Sequence, residues 1–110
     1  VDGALPASGK VGAEVSAEDA EKLARAAALN ALAAIDALVG IDKVTRVLKI
    51  VGFVASAENF SGQPGVINGA SNLMGEVFGE AGAHARSAVG VAELPLNSPV
   101  EVEVVVEIAQ

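Results

Sequence analysis

Apolar residues between positions 17 and 39 recur at Leu23, Ala27, Ala31, Ala34 and Leu38, the three- and four-residue steps of one helix face. Ser16 precedes this run with a side-chain oxygen suited to capping the first turn. Glu18 and Asp19 follow it, where acidic groups favour the positive end of the helix dipole. Gly40 supplies a left-handed stop. The spacing therefore predicts a helix over 17–39. Residues 43–56 break that rhythm: they are rich in Val and Ile, lack helical punctuation, and are apolar on both faces in their second half. This predicts a strand that packs one face on helices and the other on something further. Pro64 then suits the first turn of a second helix. Val66, Ile67, Ala70, Leu73, Met74, Val77 and Phe78 form its stripe, Gly79 ends it, and Gly69 and Gly75 are unfavourable interior residues.

The last third predicts two strands, residues 86–93 and 100–109, joined as a hairpin through the two-proline loop 94–99. In the final strand Val100, Val102, Val104, Val106 and Ile108 alternate with Glu101, Glu103, Val105, Glu107 and Ala109, so one face belongs to the core and the other is wetter. With Glu93 opposite Val100, Ala92 faces Glu101 and Arg86 faces Glu107. Val89 and Val91 then share the core face with Val102 and Val104. Arg86, Ala88 and Gly90 join Glu101 and Glu103 on the side away from the helices. Residues 1–15, with three Gly and one Pro, read as a loop with a short edge strand. The order helix, strand, helix, strand, strand predicts a single α+β domain over 1–110, both helices on one face of a sheet, without internal repeats.

Composition narrows the possibilities. Apolar residues make up 52% of the chain, aromatic residues only 3%, and Trp and Tyr are absent, so Ala, Val, Leu and Ile must fill the core and the elements must approach closely. An apolar excess in a small domain also suggests surface buried between subunits. The formal charge of −7 argues against a nucleic-acid partner, which needs clustered Lys and Arg. The absence of Cys excludes disulfides, a thiolate nucleophile and thiolate metal sites, and fits a reducing, cytoplasmic compartment. Residues 24–39 are too short and too polar to span a bilayer, so no membrane partner is expected, and no signal peptide is visible. The chain opens at Val1 in what reads as a turn, Val1-Asp2-Gly3, and a further segment is expected upstream. The Gly-rich stretch 62–69 lacks a phosphate-loop pattern and a suitable Lys.

The segment His84-Ala85-Arg86-Ser87-Ala88-Val89-Gly90-Val91-Ala92-Glu93-Leu94-Pro95 resembles the signature of the RidA family (YjgF/YER057c/UK114): an Arg-Ser opening, alternating small and Val positions, and a closing Leu-Pro. Val100-Glu101-Val102-Glu103 resembles the family's terminal strand with its paired glutamates, and Val66-Ile67-Asn68-Gly69-Ala70 is similar to the stretch where the family places an Asn at its second helix. Asn68-Gly69-Ala70-Ser71-Asn72-Leu73 together with Glu76-Val77-Phe78-Gly79-Glu80 and His84-Ala85-Arg86-Ser87 is similar to a less characterised branch of that family. The resemblance runs from about Lys10 to the end. It implies a chorismate-mutase-like fold and a homotrimer with clefts between neighbouring subunits. It also implies an N-terminal hairpin before residue 1, which this chain lacks. Ala88 stands where many relatives carry Cys, and Gly90 where many carry a larger residue.

The resemblance further implies hydrolysis of reactive 2-imino or enamine acids to 2-keto acids and ammonia, with no cofactor and no metal. Arg86 would grip the substrate carboxylate, which suits its planar fork. Glu101 aligns with the family's water-positioning glutamate, as general base or proton relay. Backbone groups near Ala88 would contact the substrate nitrogen, and Asn68 would support the cleft wall. Each assignment has an ordinary structural counterpart. Arg86 beside carboxylates suits an ion pair. Glu101 and Glu103 suit a solvated strand face, Asn68 a cap or turn, and His84, the lone His, a loop or interface rather than a metal site. Two further function classes use the same sequence: a non-catalytic trimer binding a small carboxylate-bearing metabolite at Arg86, and a holdase acting through exposed apolar surface.

Overall fold

The computed structural model describes residues 7–110. The Val1-Asp2-Gly3 turn expected from the sequence lies outside them. Helix α1 (Ala17–Val39) begins where the Ser16 side chain accepts a hydrogen bond from the Asp19 amide, and ends at Gly40, whose φ is 87°. Strand β1 (Val44–Ala55), helix α2 (Gln63–Phe78), strand β2 (Ala85–Val91) and strand β3 (Val100–Ile108) follow, with short 3₁₀ turns between them. The expected elements are thus present and in order. The stripe assigned to α1 is displaced by about one residue: the buried positions are Ala20, Ala24, Ala28 and Leu32, while Leu38 is 83% exposed. In a run of alanines the faces differ little in hydropathy, so the pattern fixes the helix but not its rotation. Residues 7–16 form a loop rather than a strand, but Val11 is fully buried, bridged to Ser56 and bonded to β1 through the Ala55 carbonyl.

The sheet order is β2-β1-β3, with β2 parallel and β3 antiparallel to β1. The expected hairpin therefore does not form. Residues 92–99 instead cross the end of β1, where the Ala55 amide donates to the Pro99 carbonyl and the Ser56 amide to the Val91 carbonyl. A connection that steps over an intervening strand must span two interstrand gaps, roughly 9–10 Å, which no tight turn reaches. Leu96 and Asn97 take positive φ in this crossing, at 59° and 57°. Among the described residues, the outer edges of β2 and β3 are unpaired.

Both helices cover one face of the sheet, α1 chiefly over β3 and α2 over β1 and β2. Ile50, Val54 and Val47 from β1 meet Val66, Ile67, Ala70 and Met74 from α2 and the alanine row of α1, with Val100, Val102, Val104 and Val106 closing the layer. The core alternation read in β3 holds from Val100 to Val106, whereas Ile108 at the strand end is 40% exposed. Two glycines let backbone segments within the helix layer lie close together. A methyl group at Gly69 would overlap the Glu21 carbonyl oxygen of α1, so the helices cross nearly backbone to backbone there. Gly82 is buried against the last turn of α2, where a side chain would overlap the Met74 carbonyl. Beside the helix crossing, Arg25 grips Glu76 through both carboxylate oxygens, Nη1 to Oε2 at 2.7 Å and Nη2 to Oε1 at 2.9 Å. The hydrogen bond from Arg25 holds the Glu76 carboxyl below its usual range.

Alanine is ordinarily better than glycine within a helix by about 1 kcal/mol. At Gly69 the overlap reverses the sign: Gly69→Ala will lower stability by about 2 kcal/mol in urea unfolding, since a packed backbone has little room to move. Gly75→Ala, where a methyl meets nothing within 4 Å, will raise it by up to about 1 kcal/mol. Because the Glu76 pKa is depressed, the ion pair stabilises the fold above the ordinary carboxylate range, and that contribution fades as pH falls through the lowered value. Glu76→Gln will therefore shift the urea midpoint slightly at neutral pH and not at all in acid, the pair being exposed to solvent.

Candidate functional site

Strand β2 is an edge strand whose helix-facing side is fixed by its register on β1. Arg86 pairs with Ile50, Ala88 with Gly52 and Gly90 with Val54, and Ile50 and Val54 are fully buried beneath the helices. Arg86 therefore points to the helix side of the sheet, at its open margin, rather than to the side away from the helices. Asn68 and Ser71 stand three residues apart on α2, on the same helix face. Arg86 Nη1 donates to Asn68 Oδ1 at 2.7 Å and to Ser71 Oγ at 3.3 Å. Asn68 lies within the helix and anchors the guanidinium, so its role is neither cap nor turn. His84 continues the cluster: its Nε2 is 2.9 Å from Ser71 Oγ and its Nδ1 2.6 Å from the Gly82 carbonyl oxygen.

Glu101 occupies the opposite side. It pairs with Phe53, and Glu103 with Val51, on the face that the helices leave open. One chain thus brings together Arg86, Asn68 and the half-buried Ala88 but not Glu101. The expected meeting of Arg86 with Glu101, Glu103 and Glu107 depended on the hairpin register, and the interposed β1 removes it. Val89 likewise moves from the expected core face to the open one, where it is 42% exposed opposite Phe53.

The two arginines of the helix layer differ in a way that matters chemically. Arg25 is neutralised by Glu76. Arg86, exposed, has hydrogen-bond partners that are an amide oxygen and a hydroxyl, and no salt bridge to it is found among the described residues. A guanidinium oriented by neutral acceptors keeps its full charge for an anion. A groove of about 350 Å³ between α1 and α2, lined by Glu18, Glu21, Lys22, Arg25, Asn72 and Glu76, lacks that property, because its arginine is already bound. Sequence reasoning missed Ser71 and the part of His84 in this cluster. The signal was present in the three-residue spacing of Asn68 and Ser71 and the two-residue spacing of His84 and Arg86, which put each pair on one side of its element.

The comparisons agree with this architecture. The sequence matches the family described as YjgF/chorismate mutase-like, putative endoribonuclease over residues 1–108. It is 43% identical over 103 residues to Protein TCP17 of Trypanosoma cruzi, covering 92% of this chain and 64% of that protein, so the chain spans about two thirds of that relative's length. The fold superimposes on the crystal structure of Atu1372 from Agrobacterium tumefaciens with a TM-score of 0.95 at 45% identity, covering 98% of this chain and 70% of that one. A putative endoribonuclease from Shewanella oneidensis gives a TM-score of 0.93 at 29% identity, covering 98% and 72%. The fold, the element order and the sequence match together establish that this chain belongs to the YjgF/chorismate mutase-like family.

Proposed function

We propose that this protein hydrolyses reactive 2-imino or enamine acids to 2-keto acids and ammonia, in a cleft of a homotrimer built around Arg86. The observation that carries the reading is the exposed Arg86 guanidinium, oriented by Asn68 and Ser71 and free of a carboxylate partner among the described residues. Such a group suits a substrate carboxylate held through two parallel hydrogen bonds. Ala88, next on the same side of β2, leaves room for the imine carbon, and its backbone would meet the substrate nitrogen. Water would add to that carbon, and the resulting carbinolamine would expel ammonia. Such substrates already hydrolyse in water, so holding and orienting them is most of the task. Glu101, on the opposite face of its own sheet, would serve as base or proton relay in a neighbouring protomer's cleft.

The trimer reading draws support from the open sheet face, where Val89 is 42% exposed and pairs with Phe53, with Val51 two residues along β1 on the same face. A contiguous apolar face of this kind is typical of subunit contacts. An RNA substrate is disfavoured by the net charge of −7. No helix among the described residues is long and apolar enough to cross a membrane. A second reading, a non-catalytic binder of small carboxylates, is favoured by one observation: Glu101 lies across the sheet from Arg86.

Keto-acid release coupled to an amino-acid dehydratase tests the enzyme reading. Arg86→Ala will lower kcat/KM about a hundredfold, as expected for loss of a bidentate carboxylate clamp. Glu101→Gln will retain 2-oxobutanoate binding in calorimetry while losing turnover. Binding of 2-oxobutanoate by a wild-type protein without any turnover would leave the binder in place of the enzyme. Val105→Glu, which adds a charge beside Glu103, will convert a trimer to smaller species in sedimentation velocity, and an unchanged sedimentation coefficient would remove the open face from the subunit contact.

A further inference from the structure

The chain contains one His, and its two ring nitrogens meet chemically different partners. The Gly82 carbonyl oxygen can only accept, so His84 Nδ1, 2.6 Å away, carries the proton and donates. In the neutral ring Nε2 is then an acceptor, and the Ser71 hydroxyl, 2.9 Å away, donates to it. With its hydrogen turned to His84, Ser71 Oγ presents lone pairs to Arg86 Nη1 at 3.3 Å. The second Nη1 hydrogen goes to Asn68 Oδ1 at 2.7 Å. Every hydrogen in this chain has one direction, running from the guanidinium through the hydroxyl to the ring and into the backbone. Its far end is rigid, because Gly82 is buried against the last turn of α2 with no space for a side chain.

The consequence falls on the ligand. Both hydrogens of Nη1 are occupied, so an end-on fork through Nη1 and Nη2 would have to break a bond to Asn68 or Ser71. Among the described residues Nη2 and Nε are left without partners, and together they form the lateral fork of the guanidinium.

We infer that His84 is a positioning residue: acting through Ser71, it fixes the guanidinium of Arg86 so that an incoming 2-oxo or 2-imino carboxylate is gripped by the Nη2 and Nε edge. This rests on the reading of Arg86 as a carboxylate site and adds the device that orients it. His84 touches no ligand. Its removal frees the Ser71 hydroxyl to bond elsewhere and lets Arg86 sample other rotamers, which weakens binding more than it changes the chemistry that follows.

The test uses 2-oxobutanoate binding by calorimetry, keto-acid release kinetics, and ¹⁵N spectra of the imidazole, which need no assignment because the ring is unique in the chain. The ring will show the Nδ1–H tautomer, and saturation with 2-oxobutanoate will shift Nε2 in the wild type but not in Ser71→Ala. His84→Phe will bind 2-oxobutanoate roughly tenfold more weakly, the size expected for losing one support of a charged group. The loss will appear in KM and leave kcat nearly unchanged. His84→Gln, whose amide oxygen can accept from Ser71, will recover most of it. Binding by His84→Phe equal to the wild type, or an Nε2–H ring, overturns the positioning role while Arg86→Ala still reports on the site itself. A wild type that fails to bind 2-oxobutanoate overturns the carboxylate reading of Arg86 and the positioning role with it.

Discussion

Close approach of backbones governs this molecule. With aromatic residues at 3% of the chain, the interior is filled by Ala, Val and Ile, and such side chains leave no space unless backbones come close. Gly69 lets α2 lie against the Glu21 carbonyl of α1, and Gly82 holds the chain leaving α2 against Met74. On the sheet side Gly52 of β1 leaves room for Ile67 of α2, and α2 rests close enough to the sheet for Asn68 and Ser71 to reach Arg86 on β2. Core packing and site geometry are in this sense one constraint.

The helices were legible because their ends are chemically marked. Ser16, Gly40, Pro64 and Gly79 act locally, and local signals survive whatever the tertiary arrangement does. Rotation of α1 was not legible, since alanine on several faces gives little contrast. Strand existence was readable from Val and Ile, but pairing was not: consecutive strands are neighbours more often than not, and that prior led to a hairpin. The corrective clue was in β1 itself. A strand apolar on both faces in its second half belongs in the middle of a sheet, and the two-proline loop before Pro99 is long for a hairpin turn.

The pairing error propagated to the site in an instructive way. Side chains alternate across a strand, so changing the partner of β2 moved Arg86 to the helix side without altering any residue identity. Arg86 is still, among the described residues, an exposed cation held by neutral groups, while the carboxylates expected beside it lie on the other face. Asn68 is a hydrogen-bond support rather than a cap or turn, and Ser71 and His84 become visible only once α2 and β2 are set side by side. Individual reactive groups can be read from a sequence of this kind, whereas the groups that orient them depend on register.

The outer edge of β3, unpaired among the described residues, also bears on self-association. A nine-residue strand rich in Val with exposed main-chain donors and acceptors is the sort of template on which fibrils grow. Here Glu101, Glu103 and Glu107 interrupt the row. Stacking identical strands in register would set each carboxylate about 4.8 Å from its own copy above and below, an unfavourable ladder of like charge. Like charge along Glu101, Glu103 and Glu107 thus opposes in-register stacking of this edge.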